Sequence, residues 1–311
     1  MAINKKWLIL GTAVGLFGGA IAWRKIQGEK PIASPFMAPG PHGTAVVTGA
    51  SAGIGAAFAR QLAALGYDLV LVARRAERLD AVADRCRTHG VQAATLVADL
   101  ATVPGRAACR AATDTVDLRM AVLNAGFGST GPMHRQDPER EVRMVDLNCA
   151  AVVDLAAHVL PRFAARGSGD LVILSSAAAF LPLPAMATYA ATRAFTLHLA
   201  RALAVEHTGG GVRVLAVCPG PTRTEFSEVI TRERARGGGE DTRRGWPLGL
   251  DDPDAVVERS LAALERGRVV VTTGWVARTT RIAASLVPYG LVATAIGLWN
   301  RRRGAGSRSP I

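Results

Sequence analysis

Residues 44–55, TAVVTGASAGIG, join a short apolar run to a turn with three glycines and the start of a helical pattern. The run 44–48 has the Val-rich composition of a strand buried on both faces. Residues 53–65 read as a helix. Glycines at such a turn let the backbone approach a pyrophosphate, whose charge then rests on the helix N-terminus. The spacing here is GxxxGxG rather than GxGxxG, and a tight strand–helix turn without a ligand has the same need for glycine. Which reading holds depends on whether the alternation continues.

It does continue. Strand signals recur at 68–73, 92–98, 120–123, 171–174, 212–217 and 269–272. Helical patterns fall between them, near 76–89, 102–112, 138–166, 187–207, 222–235 and 252–266. Short Val/Leu-rich strands alternating with helices predict right-handed crossovers and an α/β fold with a doubly wound parallel sheet. Residues 44–275 read as one domain. Gly237, Gly238 and Gly239, with the polar residues up to Gly245, read as a mobile stretch after the sixth strand.

A second stretch carries the chemistry. In residues 171–193, LVILSSAAAFLPLPAMATYAATR, an apolar strand ends at Ser175-Ser176 and a Pro-containing loop follows. Tyr189 and Arg193 are four apart, on one face of the next helix. A hydroxyl at a strand end with a phenol and a cation one turn apart forms an acid–base constellation. A free phenol titrates near pH 10, and a fixed positive charge beside it favours phenolate. Alone, the same residues also fit a serine in a turn, a tyrosine on a half-buried helix and a surface arginine.

Taken together, these motifs resemble the short-chain dehydrogenase/reductase family, which has a Rossmann-type sheet, a TGxxxGIG turn and a Ser–Tyr–Lys site. Asp99 after the third strand, Asn124-Ala125-Gly126 after the fourth, Asn148 in the long helix and Pro219-Gly220 after the sixth also match. Within the family the chain is similar to a bacterial subgroup of broad specificity and to membrane-bound ketoacyl and hydroxysteroid reductases. The resemblance implies that Gly49, Ser51, Gly53, Ile54 and Gly55 hold the pyrophosphate and adenine ribose. It assigns Asp99 to the adenine, and Asn124 and Ala125 to the nucleotide groove. Pro219, Gly220, Thr222 and Thr224 would flank nicotinamide and phosphate. Ser176 would bond the substrate carbonyl, Tyr189 would deliver the proton, and Asn148 would hold a water in the proton path. Two hydroxyl donors aimed at a carbonyl oxygen stabilise the negative charge that develops as hydride arrives.

Position 193 departs from that pattern, with Arg where the family has a Lys that bonds the nicotinamide ribose. Arg keeps the charge and can donate to a hydroxyl, but its planar fork takes more room and holds its proton. Two readings stay open: catalysis with a fixed cation, or nucleotide binding with weak or no turnover. The second strand ends in Ala73-Arg74-Arg75, with no acid until Glu77. A basic residue there accommodates a ribose 2′-phosphate, so NADP(H) is the expected cofactor. Phe127, Phe180, Leu181, Met186 and Trp246 suggest an apolar substrate pocket and hence a lipophilic ketone or aldehyde. Helices 138–166 and 187–207 are those through which relatives pair, which predicts a homo-oligomer.

The formal net charge of +12 sits mostly at the ends: residues 1–42 carry +4 and residues 275–311 carry +6. That distribution argues against a nucleic-acid partner. The ends are also apolar. Residues 7–23, WLILGTAVGLFGGAIAW, lack charge between Lys5-Lys6 and Arg24-Lys25. As a helix they would run about 24 Å, a little short of a ~30 Å hydrocarbon core. This predicts an N-terminal membrane anchor over 1–25, the competing reading being a signal peptide cut after Ala22. A Pro-rich linker, 26–43, follows. Residues 282–299 are uncharged before Arg301-Arg302-Arg303, so 276–311 is expected to associate with lipid, spanning it or lying on its surface. The expected location is a membrane, with the catalytic domain on the cytoplasmic side. The four cysteines show no paired spacing, and the histidines none that suits a metal.

Overall fold

A computed structural model of the chain describes residues 43–236 and 250–286. The apolar run 7–23, the linker to residue 42, the glycine stretch 237–245, Trp246 and residues 287–311 lie outside the described residues. Seven parallel strands form one sheet, β1 (Thr44–Thr48), β2 (Asp68–Ala73), β3 (Ala93–Val97), β4 (Leu118–Leu123), β5 (Gly169–Leu174), β6 (Val212–Pro219) and β7 (Val270–Thr273). Their spatial order is β3-β2-β1-β4-β5-β6-β7. The direction of winding reverses between β1 and β4, the topological switch point beside which ligands of open α/β sheets bind.

The helices are α1 (Gly53–Ala64), α2 (Ala76–Arg87), α3 (Val103–Asp114), α4 (Pro138–Val145), α5 (Ala151–Arg166), α6 (Ala187–Glu206), α7 (Glu225–Arg236), α8 (Pro253–Glu265) and α9 (Trp275–Leu286). Three begin as their sequences demand. Thr102, Asp137 and Asp252 cap α3, α4 and α8 by accepting backbone N–H bonds, each with a proline in the first turn. Strand residues alternate between two cores. Ala45, Val47, Val172 and Leu174 face the layer holding Phe58, Leu62 and Leu79. Val46, Leu171 and Ile173 face the layer holding Leu155, Val159 and Phe163. That two-sided burial is why the strands read as continuous apolar runs.

The expected long helix 138–166 is present but is not α-helical throughout. Asp146–Ala150 forms a π turn between α4 and α5 and carries Asn148. An inserted residue of this kind leaves the apolar periodicity readable on either side, so the pattern alone could not show it. Among the described residues, 138–166 is the one helical stretch long and apolar enough to cross a membrane. Its apolar face, including Val152, Leu155, Leu160 and Phe163, packs inside the domain.

At the amino ends of the strands, away from the glycine turn, Asp170 and Arg213 face each other across β5 and β6. The pair is bidentate, at 2.6 and 2.8 Å, with the Asp170 side chain 7% exposed. Burial, reinforced by Asp170, pushes the Tyr67 phenol up to about 12, so Tyr67 holds its proton at neutral pH. Removing one member of a buried pair strands the other charge in a poor solvent. Asp170→Ala is therefore expected to cost about 3 kcal/mol of unfolding free energy, read by urea titration. Asp84→Ala, which deletes the exposed ion pair to Arg87, should leave the midpoint near that of the parent protein.

Candidate active site

The site lies at the carboxyl ends of the strands. Thr48, the last residue of β1, donates its hydroxyl to the Val122 carbonyl at 3.2 Å. The same oxygen accepts the N–H groups of Asn124, at 2.9 Å, and Ala125, at 3.1 Å. Asn124 returns its amide to the Thr48 carbonyl at 2.9 Å. Gly49 follows at φ +67, and a Cβ there would stand 2.8 Å from Asn124 Nδ2. Only glycine fits that backbone beside that neighbour. Helix α1 then begins without a side-chain cap at Ala52, so its leading N–H groups are left to a ligand or solvent.

On the other side of the switch point, Ser176 lies two residues beyond β5 and caps a short 3₁₀ turn (Ala177–Phe180), accepting the Ala178 N–H at 3.1 Å. Ala185, at φ +67, introduces the start of α6. Tyr189 and Arg193 both lie buried on α6, at 8% and 6% exposure. Arg193 Nη1 donates to the Leu174 carbonyl at 2.9 Å, two residues before Ser176. Its guanidinium carbon stands 5.1 Å from the centre of the Tyr189 ring. The Arg193 Nε is buried without a hydrogen-bond partner. Ser175 donates its hydroxyl to the Arg193 carbonyl at 2.7 Å, which ties α6 to the end of β5.

Asn148 braces this arrangement. Its Oδ1 accepts the Phe127 N–H at 3.1 Å, and its Nδ2 donates to the Phe127 carbonyl at 2.9 Å and to Thr192 Oγ1 at 3.1 Å. Both amide hydrogens are thereby used within the protein, so the side chain acts as a strut between the loop after β4 and α6. Gly126 gives the arginine its room, because a Cβ there would lie 2.2 Å from Arg193 Nη2.

The structure thus gathers Asn148, Tyr189 and Arg193 at one point, with Ser176 at the adjoining strand end and Gly49, Asn124 and Ala125 across the switch point. Gly53, Ile54 and Gly55 open α1, and Pro219, Gly220, Thr222 and Thr224 form the end of β6 and the loop beyond it. Arg74 and Arg75 are exposed at the end of β2. The Asp99 carboxylate pairs with Arg143 and accepts the Ala101 N–H. Phe127 and Leu181 are partly buried against the core, and Phe180 is buried within it.

Sequence reasoning passed over Thr192, Ser175 and Glu225, whose roles depend on partners distant in the chain. The Phe226 ring lies 5.3 Å from that of Tyr189. Arg75 holds the Glu225 carboxyl below the usual carboxylate range. Burial pushes the Cys109 and Cys218 thiols up to about 12 and about 11, which leaves them unreactive at neutral pH. Among the described residues no group of His, Cys, Asp and Glu is placed to hold a metal.

A nicotinamide dinucleotide suits these residues. The Gly49 backbone offers a cradle that a Cβ would fill, the N-terminus of α1 lacks a side-chain cap, and Arg193 keeps an unpartnered donor. Comparison with known proteins points the same way. The family model for short chain dehydrogenases matches residues 43–235. The very-long-chain 3-oxoacyl-CoA reductase of Anas platyrhynchos is 31% identical over 236 residues, 73% of this chain and 73% of that protein. The glycine betaine reductase of Emericella nidulans is 34% identical over 258 residues, 79% of this chain, which spans 20% of that longer protein. A short-chain dehydrogenase from Sphingobium yanoikuyae, solved in complex with NADPH, is 34% identical with a TM-score of 0.67. That match covers 86% of this chain and 96% of the other. On the family match over most of the described domain, and on its fold, this chain belongs to the short-chain dehydrogenase family.

Proposed function

We propose that the protein interconverts a lipophilic ketone or aldehyde and its alcohol with NADP(H) as hydride carrier. The observation that carries this reading is the convergence of Tyr189, Arg193 and Asn148 beside the glycine turn at the switch point. The nucleotide supplies or accepts the hydride. Gly49, Ser51, Gly53, Ile54, Gly55 and the first turn of α1 would hold its pyrophosphate, and Asn124 and Ala125 would line its groove. Arg74 and Arg75 would take the 2′-phosphate, as no acid stands at the end of β2 to prefer a free ribose hydroxyl.

Ser176 and Tyr189 would donate to the carbonyl oxygen, and Tyr189 would release its proton to that oxygen as charge develops. Arg193 has one donor committed to the Leu174 carbonyl and Nε uncommitted, so it could bond a ribose hydroxyl while its charge stays near the phenol. Asn148 would keep α6 at fixed distance from the loop after β4. Phe127, Leu181, Met186 and Phe226 favour an apolar substrate, and the resemblance to a reductase of very-long-chain 3-oxoacyl-CoA supports a long-chain keto compound.

The site is tested by NADPH consumption over a panel of long-chain ketones. Tyr189→Phe is expected to lower turnover by at least about 10²-fold while nucleotide binding persists. Arg193→Met should reduce turnover and nucleotide affinity together, and Arg193→Lys should keep or raise turnover. Should the parent protein match Tyr189→Phe and the Arg193→Lys variant gain activity, the chain is a nucleotide binder without turnover.

A second expectation concerns the cofactor. Arg74→Ala combined with Arg75→Ala is predicted to weaken NADPH binding at least about tenfold more than NADH binding, by fluorescence titration. Equal losses would place 2′-phosphate recognition elsewhere.

The membrane reading is part of the proposal. It rests on the uncharged runs 7–23 and 282–299, and the exposed Trp275 and Ile282 on α9 support it. The full chain is expected to sediment with membranes and to resist carbonate extraction. Recovery in the soluble fraction, or an N-terminus cut after Ala22, would remove the anchor. Exposed Val142, Val145, Val153 and Phe195 along α4, α5 and α6 support pairing of two copies through those helices.

A further inference from the structure

Three consecutive residues at the start of α7 each meet a different part of the nucleotide and substrate cleft. The Thr224 methyl group packs over Gly53 of the glycine turn. Glu225 Oε2 accepts from Arg75 Nη1 at 2.6 Å, and Glu225 Oε1 accepts from Arg78 Nη1. The Phe226 ring lies 5.3 Å from that of Tyr189. Arg75 also donates from Nη2 to Ser51 Oγ at 3.2 Å, so one guanidinium joins the glycine turn to the carboxylate. Arg75 and Arg78 are three apart at the beginning of α2 and converge on the same carboxylate, one on each oxygen. The Glu225 carboxylate is therefore the anion these arginines hold.

We propose that Glu225 is a built-in competitor for the arginines that receive the 2′-phosphate, and that nucleotide binding exchanges its carboxylate for the phosphate and releases the start of α7 from α2. The proposal rests on the reading that Arg75 recognises a 2′-phosphate, and it adds Arg78 as a second guanidinium for that group. A carboxylate and a phosphate are alternative partners for the same planar fork. A phosphate monoester carries roughly −1.5 to −2 at pH 7 against −1 for a carboxylate, so it displaces the internal anion. The side chains of Arg75, Arg78 and Glu225 are each between 43% and 53% exposed, where water weakens ion pairs and keeps the exchange reversible. An unphosphorylated ribose offers no such replacement and leaves the latch closed. Because Thr224 and Phe226 flank Glu225, opening it loosens the segment that also lies against Gly53 and Tyr189. Discrimination between the two nucleotides and movement of the loop beside the substrate thus become one event.

The test uses the full chain in detergent, with adenosine 2′,5′-bisphosphate and adenosine 5′-monophosphate as calorimetric probes. The parent protein should prefer the bisphosphate. Glu225→Gln, which removes the charge at constant shape, should tighten the bisphosphate about three- to tenfold and leave the monophosphate unchanged. Arg78→Ala should weaken the bisphosphate and, in the double variant, cancel most of the Glu225→Gln gain. Amide exchange over residues 225–236 of the parent protein should rise with the bisphosphate and stay constant with the monophosphate. A preference for the bisphosphate that Glu225→Gln leaves unchanged or weakens, with no rise in exchange, overturns the latch while the cofactor reading stands. No preference in the parent protein overturns the cofactor reading and the latch with it.

Discussion

The hydroxyl of Thr48 closes the seam between the two halves of the sheet. One oxygen donates to the Val122 carbonyl and accepts two N–H groups, so the ends of β1 and β4 are held where the winding reverses. Everything in the cleft depends on that seam. It sets Gly49 against Asn124, turns the chain into α1 with the helix N-terminus facing outward, and opens the loop 124–128 toward α6. A parallel sheet buried on both faces leaves few polar groups to place a site, so the hydrogen bonds at strand ends do that work. They are short-range in space and 74 to 77 residues apart in sequence.

Arg193 presents the less common solution. A buried guanidinium loses much of its hydration, and the structure returns only part of it, through the Leu174 carbonyl and the face of the Tyr189 ring. Its Nε is left buried without a partner, so the solvation of the cation is incomplete. The surrounding residues are shaped to it. Gly126 leaves space for Nη2, Ser175 anchors the Arg193 carbonyl, and Asn148 bonds Thr192 next to it in the chain. Thus the Lys-to-Arg departure is embedded in packing and hydrogen bonds, and the planar fork has a fitted place.

The segment from Pro219 to Phe226 gives the site its second wall. Its backbone pairs with Asp251, Arg223 N–H donating to the Asp251 carbonyl and Asp251 N–H to that of Pro221. That wall thereby connects through Asp251 toward α8 and, through Glu225, to α2. Chain distance and spatial distance diverge widely here: Glu225 is 150 residues from Arg75 and shares a hydrogen bond with it.

How much was legible follows from where the information resides. Strand and helix order came from local apolar runs, because burial on both faces writes itself into composition at every position. The glycine turn, Ser176, Tyr189 and Arg193 stood out because their residue types and spacings are unusual for plain core or surface. The π turn at Asn148 was not legible, since the apolar stripe reads the same on both of its sides. The Glu225–Arg75–Ser51 chain and the fit of Arg193 against Gly126 were likewise invisible, as each is a pairing between residues that only folding brings together. The sequence by itself determined the alternation of elements, the parallel sheet and the residue types at its ends. Tertiary structure alone decided which of those residues meet, because hydrogen bonds and ion pairs across a sheet depend on separation in space and not along the chain.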